Sequence, residues 1–159
     1  MKILVATDGS RAGIAAVRFA SKLATGNAES ELIVLTVYSS ASGRREDAQK
    51  VLGDAARHIR RRGAPPPRFE VVRARNADDV PEAISRQADR LRADLVVVGS
   101  KGRDSLTEWV VGGTALRLIY VARRPVAVVR APRQRPSRRS GATLGGSSPH
   151  RANLNRSAG

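Results

Sequence analysis

The chain has 159 residues, a formal net charge of +15 and no cysteine. That length predicts one domain, with a core large enough to stand without disulfide staples. The missing thiols exclude disulfide scaffolds, thiolate metal centres, iron–sulfur clusters and cysteine nucleophiles, and no apolar run approaches the ~18 residues of a membrane span.

In chain order, KILVATD (2–8) reads as a continuous apolar strand. The apolar stretch in MKILVATDGS is too short for a secretory signal, so a soluble cytoplasmic protein is expected. Ser10 is placed to cap a helix carrying Ile14, Val17, Ala20, Leu23 and Ala24 on one side. LIVLTVY (32–38) is a second strand. Across 45–62, Ala48, Val51, Leu52, Ala55 and Ile59 recur at the helical period. Arg60 to Arg62 and Gly63 supply the basic last turn and glycine stop of that helix.

Pro65 to Pro67 then break the chain before RFEVVRA (68–74), whose alternation places it at a sheet edge. Asp78, Asp79 and Pro81 mark the start of a helix with Ile84, Ala88 and Leu91 inward. DLVVVG (94–99) is the most aliphatic strand and belongs at the centre, covered on both faces. Ala115, Leu118, Ile119 and Ala122 form the stripe of another helix, and PVAVVR (125–130) is the last strand. Phe19 and Tyr120 read as packing residues. Strands alternating with helices predict an open five-stranded parallel sheet, Rossmann-like, with strand order 3-2-1-4-5 and helices on both faces. Beyond residue 130 the composition changes. Residues 131–159 hold six arginines, many Pro, Ser and Gly, and no Asp or Glu, which leaves +9 for residues 1–130. The expected organisation is a domain over 1–130 and a basic disordered tail over 131–159.

The stretch GSKGRDSLTEWVVGGT (99–114) carries the functional signal. Gly99 and Gly102 sit where the fourth strand ends, and Gly112 and Gly113 where the next helix begins. In an open parallel sheet ligands bind beyond the carboxyl ends of the strands, at the point where strand order reverses. Helix-start amides favour an anion there. The same glycines would also serve as plain turn and cap residues. Lys101 and Arg103 flank Gly102 and are placed to neutralise phosphate, or to stand as solvated loop cations. Trp109 heads a short apolar patch that either packs the loop on the core or covers a ligand. Neither a GxxxxGK[ST] nor a GxGxxG motif is present. His58 and His150 have no neighbouring ligand partners in sequence, which argues against a zinc site or a His-based triad.

ILVATDGS at the start, ADLVVVGSKGR in the middle and ALRLIYVARRPVAVVR towards the end together make residues 1–130 resemble the universal stress protein family. The nucleotide-binding branch of that family carries G-x2-G-x9-G-[ST], which Gly99, Gly102 and Gly112 reproduce, with Gly113 in place of the Ser or Thr and Thr114 one position later. The resemblance implies ATP binding, with Mg2+ carried by the nucleotide. It implies that Asp8 at the end of the first strand meets the nucleoside, that Val37 and Val98 lie beside the adenine, and that Ala6 belongs to the same binding site. Gly99, Gly102, Arg103, Gly112, Gly113 and Thr114 then take the phosphates. It further implies a homodimer through the last strand, Pro125 to Arg130, and a stress-response regulator with slow hydrolysis at most. Three alternatives stand beside it. One is a family member that binds no nucleotide and works as a dimeric interaction module. Another is an ATP hydrolase or phosphotransferase using Asp8 or Asp104. The third is a nucleic-acid binder driven by the basic tail, against which the scarcity of aromatics (3%) argues.

Overall fold

Unbroken aliphatic runs build the middle of a parallel sheet, and alternating ones its rim. The computed structural model describes residues 1–25, 29–39, 43–59, 65–101 and 111–132. Along them run β1 (Lys2–Ala6), α1 (Arg11–Thr25), β2 (Glu31–Tyr38), α2 (Arg45–Ala56) and β3 (Arg68–Arg73). Then come α3 (Val80–Leu91), β4 (Leu95–Gly99), α4 (Gly113–Val121) and β5 (Val126–Val129). The five strands form one parallel sheet in the order β3-β2-β1-β4-β5, the Rossmann-like topology expected from the sequence. KILVA, ELIVLTVY and LVVVG occupy its centre, and RFEVVR lies at one edge with VAVV at the other.

Alternation along the strands sends side chains to two cores. Ile3, Val5, Leu32, Val34 and Val97 face α1 and α2, meeting Val17, Ala20, Leu52 and Ala55. Leu4, Ala6, Ile33, Leu35, Val96 and Val98 face α3 and α4, meeting Ile84, Ala88, Ala115 and Leu118. Each fully buried aliphatic side chain contributes about 1.5–3 kcal/mol, so these two layers dominate the stability of the domain.

Several sequence expectations shift at the periphery. Helix α2 stops at Ala56, short of residue 62, although Ile59 still packs on the first core. Arg60 to Gly63 lie outside the described residues, as do Gly102, Arg103, Trp109 and everything beyond Pro132. Leu23 and Ile119 are not inward: they are 37% and 50% exposed, and Tyr120 is 81% exposed. Small residues supply the buried stripe of α1, namely Ala12, Gly13, Ala16, Ala20 and Ala24 around Val17. They let the helix sit close to the sheet and leave Leu23 and Phe19 on its flanks. Helix α4 covers one end of the sheet and buries only Ala115 and Leu118, so its outer side carries Leu116, Ile119 and Tyr120 in the open.

At the amino-terminal edge of the sheet, Glu31 takes Lys2 Nζ at 3.1 Å and Arg68 Nη1 at 2.9 Å, while Glu70 takes Arg68 at 3.1 Å and Arg90 at 3.2 Å. Partial burial pushes the Glu31 carboxyl upward, but the hydrogen bonds and charges of Lys2 and Arg68 prevail and hold it below its ordinary value. Such surface pairs contribute at most about 1 kcal/mol each. They pin the edge opposite the carboxyl ends of the strands.

Candidate functional site

Strands β1 and β4 end side by side, with Ala6 paired to Val98. From there the chain diverges. β1 passes through α1 towards β2 and β3, and β4 passes through α4 to β5. Helices α1 and α4 lie on opposite faces, so their first turns flank the carboxyl ends of β1 and β4, the switch point at which open parallel sheets bind ligands in a crevice.

The α1 side of this crevice is tied together by short polar side chains. Gly9 takes φ 79°, a left-handed conformation that costs glycine least. The Gly9 N–H donates to Thr7 Oγ1 at 3.1 Å, and the Ser10 N–H donates to Asp8 Oδ1 at 3.0 Å. Ser10 Oγ accepts the Gly13 N–H at 3.0 Å, which caps the helix, and donates to the Lys101 carbonyl at 3.1 Å, which reaches across to the segment after β4. Thr36 Oγ1 donates to the Thr7 carbonyl at 3.0 Å and ties β2 into the same corner.

Close packing brings this corner against β4. A Cβ on Gly99 would stand 2.5 Å from the Ala12 carbonyl carbon and 2.6 Å from the Gly13 nitrogen, both main-chain atoms. A Cβ on Gly13 would meet Thr7 Oγ1 at 2.6 Å and Asp8 Oδ1 at 2.9 Å. Gly99 therefore lets the first turn of α1 lie directly on the end of β4. Gly13 leaves room for the Thr7 and Asp8 oxygens.

The α4 side is built differently. The Ser100 N–H donates to the Val129 carbonyl at 2.7 Å, extending the sheet, and the Ser100 carbonyl accepts the Gly112 N–H at 2.7 Å. The glycine segment thus leaves and returns at one point. Gly112 is the N-cap, extended at φ −62° and ψ 150°, with no side-chain capping hydrogen bond. Its carbonyl accepts the Leu116 N–H at 3.0 Å, the first bond of the helix. The amides of Gly113, Thr114 and Ala115 precede that bond and have no acceptor within the helix. Gly113 and Thr114 are exposed, and a Cβ added to Gly113 meets nothing within 4 Å among the described residues.

Between the two sides, Ala6 and Val98 are buried and Val37 is half-buried, and all three belong to the core beneath α3 and α4 together with Val111 and Ala115. They make an apolar layer at the carboxyl ends of β1, β2 and β4. Asp8 is half-buried at its α1 rim. Of the sequence-predicted site residues, the structure brings Ala6, Val37 and Val98 into one layer. It puts Asp8 and Gly99 at the α1 corner, and Gly112, Gly113 and Thr114 at the start of α4. Gly102 and Arg103 lie outside the described residues. Gly112 does not offer its amide outward, because that N–H is held by Ser100. Sequence reading missed Thr7 and Gly13. Their signal is the run TDGSRAG, in which hydroxyl, carboxylate and glycine positions interleave at a strand-to-helix turn.

Among the described residues no three His, Cys, Asp or Glu side chains gather to hold a metal ion, and no helix is long and apolar enough to cross a membrane.

No curated protein sequence matches the chain. Solved structures do. A protein of the universal stress protein family from Burkholderia pseudomallei is 30% identical, with a TM-score of 0.61 over 80% of this chain and 94% of its own. The universal stress protein from Archaeoglobus fulgidus in complex with dAMP is 27% identical, with a TM-score of 0.56 over 81% and 97%. A universal stress protein in complex with cAMP shares the fold at 23% identity, with a TM-score of 0.64 over 83% and 98%. Residues 1–130 match the Universal stress protein family, and the chain belongs to it.

Proposed function

We propose that the crevice between α1 and α4 binds an adenine nucleotide, ATP with its Mg2+ in the working state, and that the protein is a nucleotide-dependent stress-response regulator. The observation that carries this reading is the start of α4, where Gly113 and Thr114 are exposed and their amides have no acceptor within the helix, at the same end of the sheet as the apolar layer of Ala6, Val37 and Val98. Uncapped helix-start amides with the positive end of the helix dipole suit phosphate. An aliphatic layer suits a purine face. The related proteins solved with dAMP and cAMP support the same ligand class.

The residues present fit the group. The apolar layer takes the base, Asp8 at the rim is placed for the ribose hydroxyls, and the α4 start takes the phosphates. Gly99, Gly102 and Arg103 complete the phosphate side in this reading, with Lys101 beside them. When bound, Mg2+ neutralises phosphate charge. It rides on the phosphates, since no described acidic cluster stands ready to hold it. Asp8 Oδ1 is already engaged by the Ser10 amide, and a carboxylate serving a turn is a poor general base. The protein is therefore a binder whose hydrolysis is slow at most.

The partner half of the proposal is a homodimer through β5. This strand pairs with β4 on one side and ends the sheet, and its Val126 to Val129 run is half-buried. An apolar edge strand invites pairing with a copy of itself. Residues 131–159 form a basic extension to the 1–130 domain, and the protein works in the cytoplasm.

The decisive test is nucleotide extraction from the purified full chain with chromatography and mass spectrometry, followed by titration calorimetry with ATP, ADP and AMP. Co-purified adenine nucleotide and saturable binding are expected. If none of the three binds, the reading fails and the chain belongs with family members that work without nucleotide.

A further inference from the structure

Helix α4 carries two apolar stripes, and the larger side chains stand on the outer one. Ala115, Leu118 and Ala122 turn inward at the helical period, and of these Ala115 and Leu118 are buried. Leu116, Ile119 and Tyr120 recur at i, i+3 and i+4, and all three are exposed. The opposite flank of the helix is occupied. Arg117 Nη2 pairs with Glu82 Oε1 at 2.7 Å, Ser85 Oγ donates to the Val121 carbonyl at 3.2 Å, and Arg124 Nε pairs with Asp89 Oδ1 at 3.0 Å, so that flank is bound to α3. The helical period then turns Leu116 and Ile119 away from α3, with Tyr120 next to them. Leu, Ile and Tyr grouped in water have the composition of a contact surface, and Tyr in particular is enriched in such surfaces.

The charges around this stripe have one sign. Residues 111–132 hold four arginines and no Asp or Glu. Arg117 and Arg124 are taken by α3, whereas Arg123 and Arg130 are exposed and pair with no described carboxylate. Arg123 stands just past the carboxyl end of α4. Arg130 follows Val129, which pairs with Gly99 at the sheet end from which α4 starts. Free cations therefore bracket the stripe lengthwise. We infer that the outer stripe of α4 docks an acidic amphipathic segment of another protein, its apolar side on Leu116, Ile119 and Tyr120 and its carboxylates towards Arg123 and Arg130. A second copy of the chain is the poorer occupant of this face. On the β5 edge a copy pairs through uncharged main-chain groups. On the α4 face it would bring arginines together with no acid from either side, in a chain that already carries +15. An acidic segment supplies the missing sign. Apolar anchors at the centre provide most of the affinity, and the flanking charges guide association and select the partner. Such docking needs no nucleotide in the crevice.

The test uses the full chain and a fluorescent synthetic peptide of about five helical turns, with leucines at i, i+3, i+4 and i+7 and glutamates and alanines elsewhere. A scrambled peptide of the same composition and charge is the control. The amphipathic peptide should bind at least about tenfold more tightly than the scrambled one, and a variant carrying Ile119→Ser and Tyr120→Ser should lose about tenfold or more of that affinity. Both side chains are exposed, so the thermal midpoint of the variant should move by less than about 2 °C. Arg123→Glu should weaken the peptide about three- to fivefold at about 0.05 M salt, and the difference should close at about 0.5 M. No saturable binding by the wild-type chain overturns the inference. Equal binding of the two peptides reduces the attraction to net charge and overturns it, as does a serine variant that binds like wild type. Sedimentation and lipid binding decide between occupants. A wild-type dimer that the serine pair dissociates would assign the face to a second copy and overturn the inference. Phosphatidylglycerol vesicles bound by the wild-type chain and released by the serine pair would assign it to a lipid surface, with the same consequence.

Discussion

Helices α1 and α4 both begin at the carboxyl ends of central strands, yet their first turns are completed in opposite ways. At α1 the Ser10 hydroxyl accepts the Gly13 amide, Asp8 accepts the Ser10 amide, and the glycines at 13 and 99 allow the whole turn to lie on β4. At α4 a glycine stands at the cap and supplies no side-chain capping bond, and among the described residues nothing lies within 4 Å of a Cβ placed on Gly113. The two starts have equivalent places in the topology and unequal capacity for a ligand. A helix start that satisfies itself contributes rigidity. One that does not keeps its donors and the positive end of its dipole for something else. Glycine in the two places also means different things: Gly99 excludes a side chain, and Gly113 merely lacks one.

The largest effect that separates them is steric. Gly99→Ala drives a methyl into main-chain atoms of Ala12 and Gly13, which cannot rotate away. Overpacking of this kind costs about 1–3 kcal/mol, and the rigid partners place this case at the upper end. Thermal unfolding followed by circular dichroism should show a midpoint lowered by roughly 5–10 °C. A midpoint unchanged from wild type would mean that α1 does not rest on β4.

Next comes charge at the open start. Gly113→Asp adds a carboxylate where nothing crowds it, at a helix position that favours negative charge by about 0.3–1 kcal/mol. Stability should hold or rise. The same carboxylate repels phosphate, and ATP affinity should fall about tenfold or more, the effect expected of like charges a few ångströms apart at a protein surface. Calorimetric titration and thermal melts of one sample read both signs. Affinity and stability moving down together would show disruption rather than repulsion.

The sequence disclosed the architecture because aliphatic runs and helical stripes are short-range signals. LVVVG and LIVLTVY read as buried strands on composition alone, and RFEVVR read as an edge. It also pointed to a segment whose two described ends, Gly99 to Lys101 and Val111 to Thr114, meet beyond the carboxyl end of β4. It did not distinguish Gly99 from Gly113, because the difference lies in what stands opposite each one in space, and α1 is far from β4 along the chain. Nor did it reveal that Ser100 occupies the Gly112 amide. Hydrogen-bond partners across a loop neck carry no periodicity. Leu23, Ile119 and Tyr120 misled for a related reason: a stripe shows which residues share a face, while the breadth of the face that is covered depends on the neighbours.

Smaller effects refine the contrast. Ser10→Ala removes the cap of α1 and the bond to Lys101 together. Loss of a serine cap costs about 1 kcal/mol. Because Ser10 also joins the two sides of the crevice, amide exchange should quicken at Gly13 and at the residues around Lys101. An increase confined to Gly13 would mean that the Lys101 contact holds nothing in place.

The smallest change is the most discriminating for the nucleotide reading. Gly113→Ser introduces at the first position of α4 a residue with a hydroxyl and a better helix propensity than glycine, worth about 0.5 kcal/mol. The side chain has open space, so the stability gain should appear in full as a midpoint rise of about 2 °C. If phosphate occupies this helix start, the new hydroxyl adds one donor, and ATP affinity should rise by a few-fold with little change for a nucleoside lacking phosphate. If the open start of α4 faces only solvent, the midpoint still rises and ATP affinity does not move. The two readouts separate a helix that is merely uncapped from one whose cap is a ligand.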